Sequence, residues 1–467
     1  MPRSTIRATP NLEIEISSGR TAWTGGDVIT GRVSRCAPLV SASTVISIRL
    51  IGRAKSKMIV NRGQTTSVYR NRFNFFTPEQ TTVELIAGPI HIPETGDMHS
   101  WPFSVTVPDQ LNPAAVAQGN QQKHSYLPLG HGEILAQSMP PTFYCKGTWF
   151  STTYEAYNEY FLEATMTIES SKKSETAILP VDILPRSAPG LITDFHPLRS
   201  VPFCQLNSHR LVPGAENSSL TLQQRTQHLF RSSKVPSFAF SLQIEYPQTL
   251  QIGNSGHVRF TLLAIPEREH TTEVLQDCQL ELAIESIQLE IKSETEILCR
   301  GTLSSHDVRG SRKIRLVSDE ALTRLGSTMI VPLGPKAGPL DVGEKLGLSL
   351  QHLGPNLRSE STSKMSHSLY PTFSTYNIQH SHKLYWKIEI SSAGASTKVA
   401  DEVGITILPL LPHSDAPPYT PFPGATAALL QEDKPAYEEE IIPSYDEAVP
   451  SSSKRNDFIP EKAKLEK

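Results

Sequence analysis

The chain has 467 residues, with 44 Lys and Arg against 47 Asp and Glu for a formal charge of −3, so no global basic field points to nucleic acid. Its 36 prolines and 38% apolar content argue against a mostly helical protein, because proline removes a backbone donor and clashes inside a helix. The length exceeds what one core usually holds and fits two domains with connecting segments. The five cysteines, Cys36, Cys145, Cys204, Cys278 and Cys299, are odd in number, scattered and never in Cys-x-x-Cys spacing, which predicts buried thiols in a reducing compartment. No run approaches the roughly 18 uninterrupted apolar residues of a spanning helix, and the first ten residues lack the apolar region of a secretory signal. The chain therefore reads as cytoplasmic.

Period-two alternation recurs from the start. Leu12, Ile14 and Ile16 share one face, with Glu13 and Glu15 on the other. Thr24-Gly25-Gly26-Asp27 predicts a turn, followed by a strand through Val28 and Val33. Ile46, Ile48 and Leu50 alternate with Ser47 and Arg49, Trp101–Pro108 reads as a strand flanked by prolines, and Tyr160–Ile168 alternates over its whole length. Many short strands separated by turns predict an all-β chain built as sandwiches. Residues 186–235 lose the alternation and are rich in Ser, Pro, His and Arg, so they read as a linker. Strands then resume at Phe238–Ile244, Val258–Leu262, Leu280–Ile291, Leu384–Ile390 and Val403–Ile407. Short helices are expected only at Asp319–Leu325 and at Glu438–Ile442. Both halves open with a short alternating strand and close on Ile-Leu-Pro, at Ile178–Pro180 and Ile407–Pro409, which predicts a duplicated unit.

The last segment, 411–467, has a different character: 11 acidic and 6 basic residues give it a charge of −5, with nine prolines. Such a composition predicts a disordered, proline-rich tail. Its three tyrosines each follow a proline by two positions: Pro417-Pro418-Tyr419, Pro435-Ala436-Tyr437 and Pro443-Ser444-Tyr445. A tyrosine here meets a proline at that offset by chance roughly one time in six, so three of three is informative. Pro-x-Tyr suits recognition in an extended, polyproline-like conformation. Little entropy is lost on binding, the proline ring sits between aromatic rings, and the tyrosine fills a neighbouring pocket, as in ligands of WW domains.

Other clusters carry less. Arg49, Arg53, Lys55, Lys57 and Arg62 read either as a patch for phosphorylated tails or acidic lipid headgroups or, more ordinarily, as the solvated face and turn of a hairpin. His380-Ser381-His382 and His124 with His131 have no Cys or carboxylate at ligand spacing, so they read as loop histidines and no metal site is expected. Ser187, Ser200, Ser208, Ser232 and Ser233 lie near arginines and are candidates for phosphorylation. No nucleophile elbow, phosphate loop, His-Glu-x-x-His or Gly-x-Gly-x-x-Gly occurs. Neither catalytic residues nor a cofactor are expected.

The order and wording of the strands resemble the arrestin fold, and in particular the fungal α-arrestin (arrestin-related trafficking adaptor) family. Gly25–Val33 resembles the family's G-(D/E)-x-(V/I)-x-G-x-V turn and strand, Ile48–Gly52 its V-x-L-x-G strand, and Tyr160–Ala164 its Y-x-L-x-A strand. Trp101–Pro108 resembles its F-x-F-x-x-x-(L/V)-P strand, Pro371–Ile378 followed by His382–Trp386 its F-x-T-x-N-I … Y-x-L passage, and Ile405–Pro409 its closing strand. The resemblance covers about 11–185 and 236–410 and implies two tandem immunoglobulin-like β-sandwich domains, followed by the Pro-x-Tyr tail. It further implies an adaptor that is recruited peripherally to plasma membrane or endosomes and engages the cytosolic tails of transporters or receptors. Such an adaptor holds a HECT-type ubiquitin ligase through WW domains, so that cargo is ubiquitinated and internalised, with acidic lipid as a further contact. The family motif is Pro-Pro-x-Tyr, and here the first position is Ala416, Lys434 or Ile442. Ile442-Pro443-Ser444-Tyr445 comes nearest in character, because an aliphatic residue can stand in for proline and acidic residues follow. The alternative reading is an arrestin-fold scaffold of a sorting coat or signalling complex without a ligase. A β-sandwich hydrolase or carbohydrate binder would need secretion or a polar cleft.

Overall fold

The computed structural model describes residues 6–8, 11–94, 96–168, 173–185, 191–230, 232, 234–301, 304–317, 325, 328–350 and 369–409. The described residues are mostly β, at 55% strand and 11% helix. The first half contributes β1 (Glu13–Ile16), β2 (Ala22–Trp23), β3 (Val28–Arg35), β4 (Leu39–Arg62), β5 (Thr65–Asn74), β6 (Thr82–Ile92), β7 (His99–Thr106), β8 (Phe143–Trp149), β9 (Thr152–Ile168) and β10 (Lys173–Ile183). The second half contributes β11 (Pro197–Ser200), β12 (Phe203–Asn207), β13 (Ser237–Pro247), β14 (Thr249–Gln251), β15 (Thr261–Pro266), β16 (Leu282–Cys299), β17 (His306–Arg315), β18 (Ile330–Val331), β19 (Leu340–Asp341), β20 (Phe373–Ser374), β21 (Ile378–Ser392) and β22 (Ala395–Leu408).

The two halves repeat one strand plan. In the first, a small sheet β1-β3-β7 accompanies a large sheet ordered β2-β10-β9-β4-β5, with β6 on β4 and β8 on β9. In the second, a small sheet β11-β13-β15-β19, with β12 on β13, accompanies a large sheet ordered β14-β22-β21-β16-β17, with β18 on β16 and β20 on β21. In each large sheet the short outer strand, β2 or β14, joins in parallel, whereas the long strands pair antiparallel.

Alternation in the sequence becomes burial between the sheets. Ile14, Ile29, Val33 and Phe103 of the small sheet meet Ile48, Leu50, Leu162 and Ala164 of the large one in a single cluster. In the second half Phe240, Leu242 and Leu262 meet Leu289, Trp386, Ile388 and Ile407, and Trp386 lies between Tyr246 and Phe260, with ring centroids at 4.9 and 5.9 Å. Each fully buried Ile, Leu or Phe stabilises such a sandwich-like core by about 1.5–3 kcal/mol. Two glycines are fixed by close approach. A Cβ on Gly31 would lie 2.1 Å from the Glu15 carbonyl oxygen and 2.7 Å from the Phe103 ring, and one on Gly52 would lie 2.8 Å from both the Phe76 and Tyr160 rings.

Several expectations need correction. The stretch 186–235 is not simply a linker: β11 and β12 pair with β13 and so belong to the second half's small sheet, and Leu222–Leu229 is a helix with a Thr221/Gln224 capping box. Polar composition concealed these elements because their outer faces are solvated. The hairpin arms β5 and β17 went unread for the same reason, since charged residues on one face obscure the alternation. Cys36 is exposed, and only Cys204 and Cys299 are fully buried thiols. His380 and His382 are core residues of β21 rather than loop residues. The helix expected over Asp319–Leu325 falls, apart from Leu325, outside the described residues, as does the one at Glu438–Ile442.

Candidate functional site

β4 and β9 run well past the first core, and β16 and β21 past the second. Their far ends meet in a third apolar cluster: Met58, Phe143 and Ala156 against Ile297, Cys299, Val308, Phe373 and Ile378. Buried hydrogen bonds fix this seam. The Ser56 hydroxyl donates to the Leu298 carbonyl at 2.7 Å, and Asn377 Nδ2 donates to Ser56 Oγ at 3.0 Å. Tyr376 of the second half packs inside the first core, stacked on Phe73 at 5.1 Å. Asn377 is fully buried, so Asn377→Ala should orphan the Ser56 hydroxyl as an acceptor and open a small void at the seam. We expect a loss of about 1–3 kcal/mol in urea unfolding; a loss below a few tenths would mean that the seam does not depend on this bond.

A pocket of about 470 Å³ opens beside the seam, lined by Lys55, Lys57, Arg70, Arg72 and Arg300 together with neutral polar groups and Tyr157. Strand register creates it. In the β4–β5 hairpin Lys55 lies opposite Arg72 and Lys57 opposite Arg70, so like charges face one another directly, an arrangement that normally destabilises a hairpin. Arg300 comes from the second half. It follows β16, its backbone N–H donates to the Arg70 carbonyl at 3.2 Å, and its guanidinium donates to the Gly119 carbonyl at 3.3 Å. Among the described residues no carboxylate lines the pocket. Glu159 lies at its margin, 2.5 Å from Arg53 Nε and 3.9 Å from Lys55 Nζ. Among the described residues Lys57, Arg70, Arg72 and Arg300 form no ion pair. Desolvation, and then the charge of Arg53, lower the Lys55 ammonium to about 8, against a smaller opposing pull from Glu159.

The basic residues singled out in the sequence are thus divided among different tasks. Arg49 is paired with Glu163 at 2.5 Å and Arg53 with Glu159, Lys55 and Lys57 enter the pocket, and Arg62 is exposed at the hairpin end. A plain solvated face does not describe Lys55, which is 8% exposed. Arg70, Arg72 and Arg300 were not recognised. The signal for the first two was present, since Lys55-x-Lys57 and Arg70-x-Arg72 flank a Gly-containing turn at period two; Arg300 has no local signature. Pro417, Tyr419, Pro435, Tyr437, Ile442, Pro443 and Tyr445 all lie outside the described residues, as do Ser187 and Ser233. Ser208 is buried, and its hydroxyl accepts from the Arg210 N–H, which removes it from the candidates for phosphorylation.

His380 and His382 lie at the seam. Nδ1 of His380 is 2.8 Å from Thr295 Oγ1, and Nδ1 of His382 is 3.0 Å from Thr372 Oγ1. Nε2 of each has no hydrogen-bond partner among the described residues. No group of three or more His, Cys, Asp or Glu among the described residues could hold a metal ion, and no described helix is long and apolar enough to cross a membrane. No protein-family model matches this chain, and a search of curated proteins finds no significant match.

Proposed function

We propose that the chain is a non-catalytic adaptor with an arrestin-like body of two tandem sandwiches. Its proline-rich tail recruits a HECT-type ubiquitin ligase through WW domains to the cytosolic tails of plasma-membrane transporters or receptors. The observation that carries this reading is the set of three Pro-x-Tyr sites in an acidic segment that begins directly after β22. The repeated strand plan of the two halves is in keeping with it. Each site lacks the first proline of the full motif, and three weak sites on one chain still bind through avidity when the ligase has several WW domains. Chemistry is not required of such a protein: it raises the local concentration of ligase near cargo lysines. It works in the cytoplasm and at membranes to which its cargo draws it. The missing first prolines favour one competing reading, an arrestin-fold scaffold of a sorting coat without a ligase.

Calorimetry with the full chain and the WW domains of a HECT ligase separates the two. Micromolar binding is expected for the wild type and complete loss for the triple variant Tyr419→Ala, Tyr437→Ala, Tyr445→Ala, with Tyr445→Ala the most damaging single change. Absence of binding by the wild type would discard the ligase arm and leave the scaffold.

A further inference from the structure

We infer that the pocket beside the seam is a binding site for a compact ligand bearing two or more phosphate groups, gripped by both halves at once. Nothing in this inference depends on the tail. Like-charge pairs directly opposite in a hairpin oppose its formation, yet here two such pairs, Lys55–Arg72 and Lys57–Arg70, are adjacent, and Arg300 of the second half adds a fifth cation. Among the described residues two carboxylates of β9 face them: Glu159, which Arg53 already holds, and Glu155, which lies opposite Lys57, accepts a hydrogen bond from the Tyr144 hydroxyl and forms no ion pair with Lys57. The arrangement is electrostatically incomplete without an anion, and multiple charge-assisted hydrogen bonds from arginine are the usual means of holding phosphate.

Size and shape narrow the class. A volume of about 470 Å³ lies within the range of small-ligand sites, roughly 300–1,000 Å³, and exceeds the needs of a single inorganic anion. Four of the cations lie two residues apart on the paired strands of one hairpin, and Arg300 of the second half lines the same cavity; cations gathered from both halves around one cavity favour a compact polyphosphate over an extended acidic peptide. The same chemistry is offered by a soluble inositol polyphosphate and by the headgroup of a phosphoinositide. Because Arg300 and the hairpin belong to different halves, the ligand would tie them together and so stabilise the fold.

The test uses the full chain in 0.1 M salt with inositol hexakisphosphate, sulfate as a single-anion control, and phosphatidylcholine vesicles with and without phosphatidylinositol bisphosphate. One saturable site for the hexakisphosphate is expected, weakening as salt rises, with a raised melting temperature. Arg70 and Arg300 are exposed and their charges add to the mutual repulsion, so Arg70→Gln/Arg300→Gln should not lower the unliganded melting temperature while weakening binding at least tenfold. Lys55 supplies an independent readout: an anion beside it raises its proton affinity, so binding near pH 8–9 should take up protons, seen as a calorimetric heat that varies with buffer ionisation enthalpy. Binding of the soluble ligand without vesicle recruitment assigns a free polyphosphate, and recruitment competed by the soluble ligand assigns a headgroup; either supports the site. No saturable binding below 1 mM, binding unchanged in the double variant, or tighter binding of a doubly phosphorylated peptide than of the hexakisphosphate would each overturn it.

Discussion

Replacing Glu159 with glutamine should destabilise the protein by about 3–5 kcal/mol, the usual cost of removing one partner from a buried ion pair. The carboxylate is 3% exposed and is the group that balances Arg53 and Lys55, whose side chains are 15% and 10% exposed. Without it, two largely desolvated cations remain next to Arg72, and their mutual repulsion is no longer offset. Adding Lys55→Met should recover part of the loss, because it removes one of the stranded charges while keeping most of the packed stem. Urea unfolding of the wild type and of the single and double variants measures both effects. A single-variant loss under about 1 kcal/mol would show that solvent reaches these charges far more readily than their burial implies.

Lys55 adds a pH dependence of known sign. Its folded value of about 8 lies below the ordinary 10.5, so between those values the unfolded chain binds more protons and stability rises with pH. Below pH 8 the full cost of burying the ammonium is present. Lys55→Met should remove that slope.

Acid should weaken the protein through His380 and His382. Burial lowers both imidazoles, His382 to about 4 and His380 well below its ordinary value, where the neighbouring His382 and Arg312 add to the effect. Both are therefore neutral in the folded state while the unfolded chain takes up protons through pH 6.5. Stability is unaffected above pH 6.5 and falls as pH drops from 6.5 towards 4, by roughly 3 kcal/mol from His382 alone. The two rings meet edge-on at 4.7 Å, so they cannot both be charged in place, and their surroundings of Phe143, Tyr370 and Phe373 offer His380 no counter-charge. Melting temperatures from pH 7.5 to 4.5 should fall less steeply for His380→Gln/His382→Gln than for the wild type. Parallel curves would assign acid sensitivity to other groups.

Much of the fold was legible because strand burial writes a period of two into the chain. Ile46, Ile48 and Leu50, or Leu162, Ala164 and Met166, announce both the strand and its inner face. The duplicated ends at Ile178–Pro180 and Ile407–Pro409 pointed to the repeat that the strand orders display. The Pro-x-Tyr spacing is visible in the sequence by itself, since a linear motif needs no neighbours from elsewhere; its use in binding is a proposal. The pocket was beyond such reading. Lys55 meets Arg72 only because the hairpin turn sets that register, and Arg300 joins them only because the two halves dock end to end through Met58, Phe143, Ile297 and Ile378. The histidines of β21 likewise read as polar loop residues until the same docking buried them. Sequence alone determines what depends on local periodicity and on linear motifs; charge convergence and burial at the seam depend on register and docking, which are set by contacts between residues far apart in the chain.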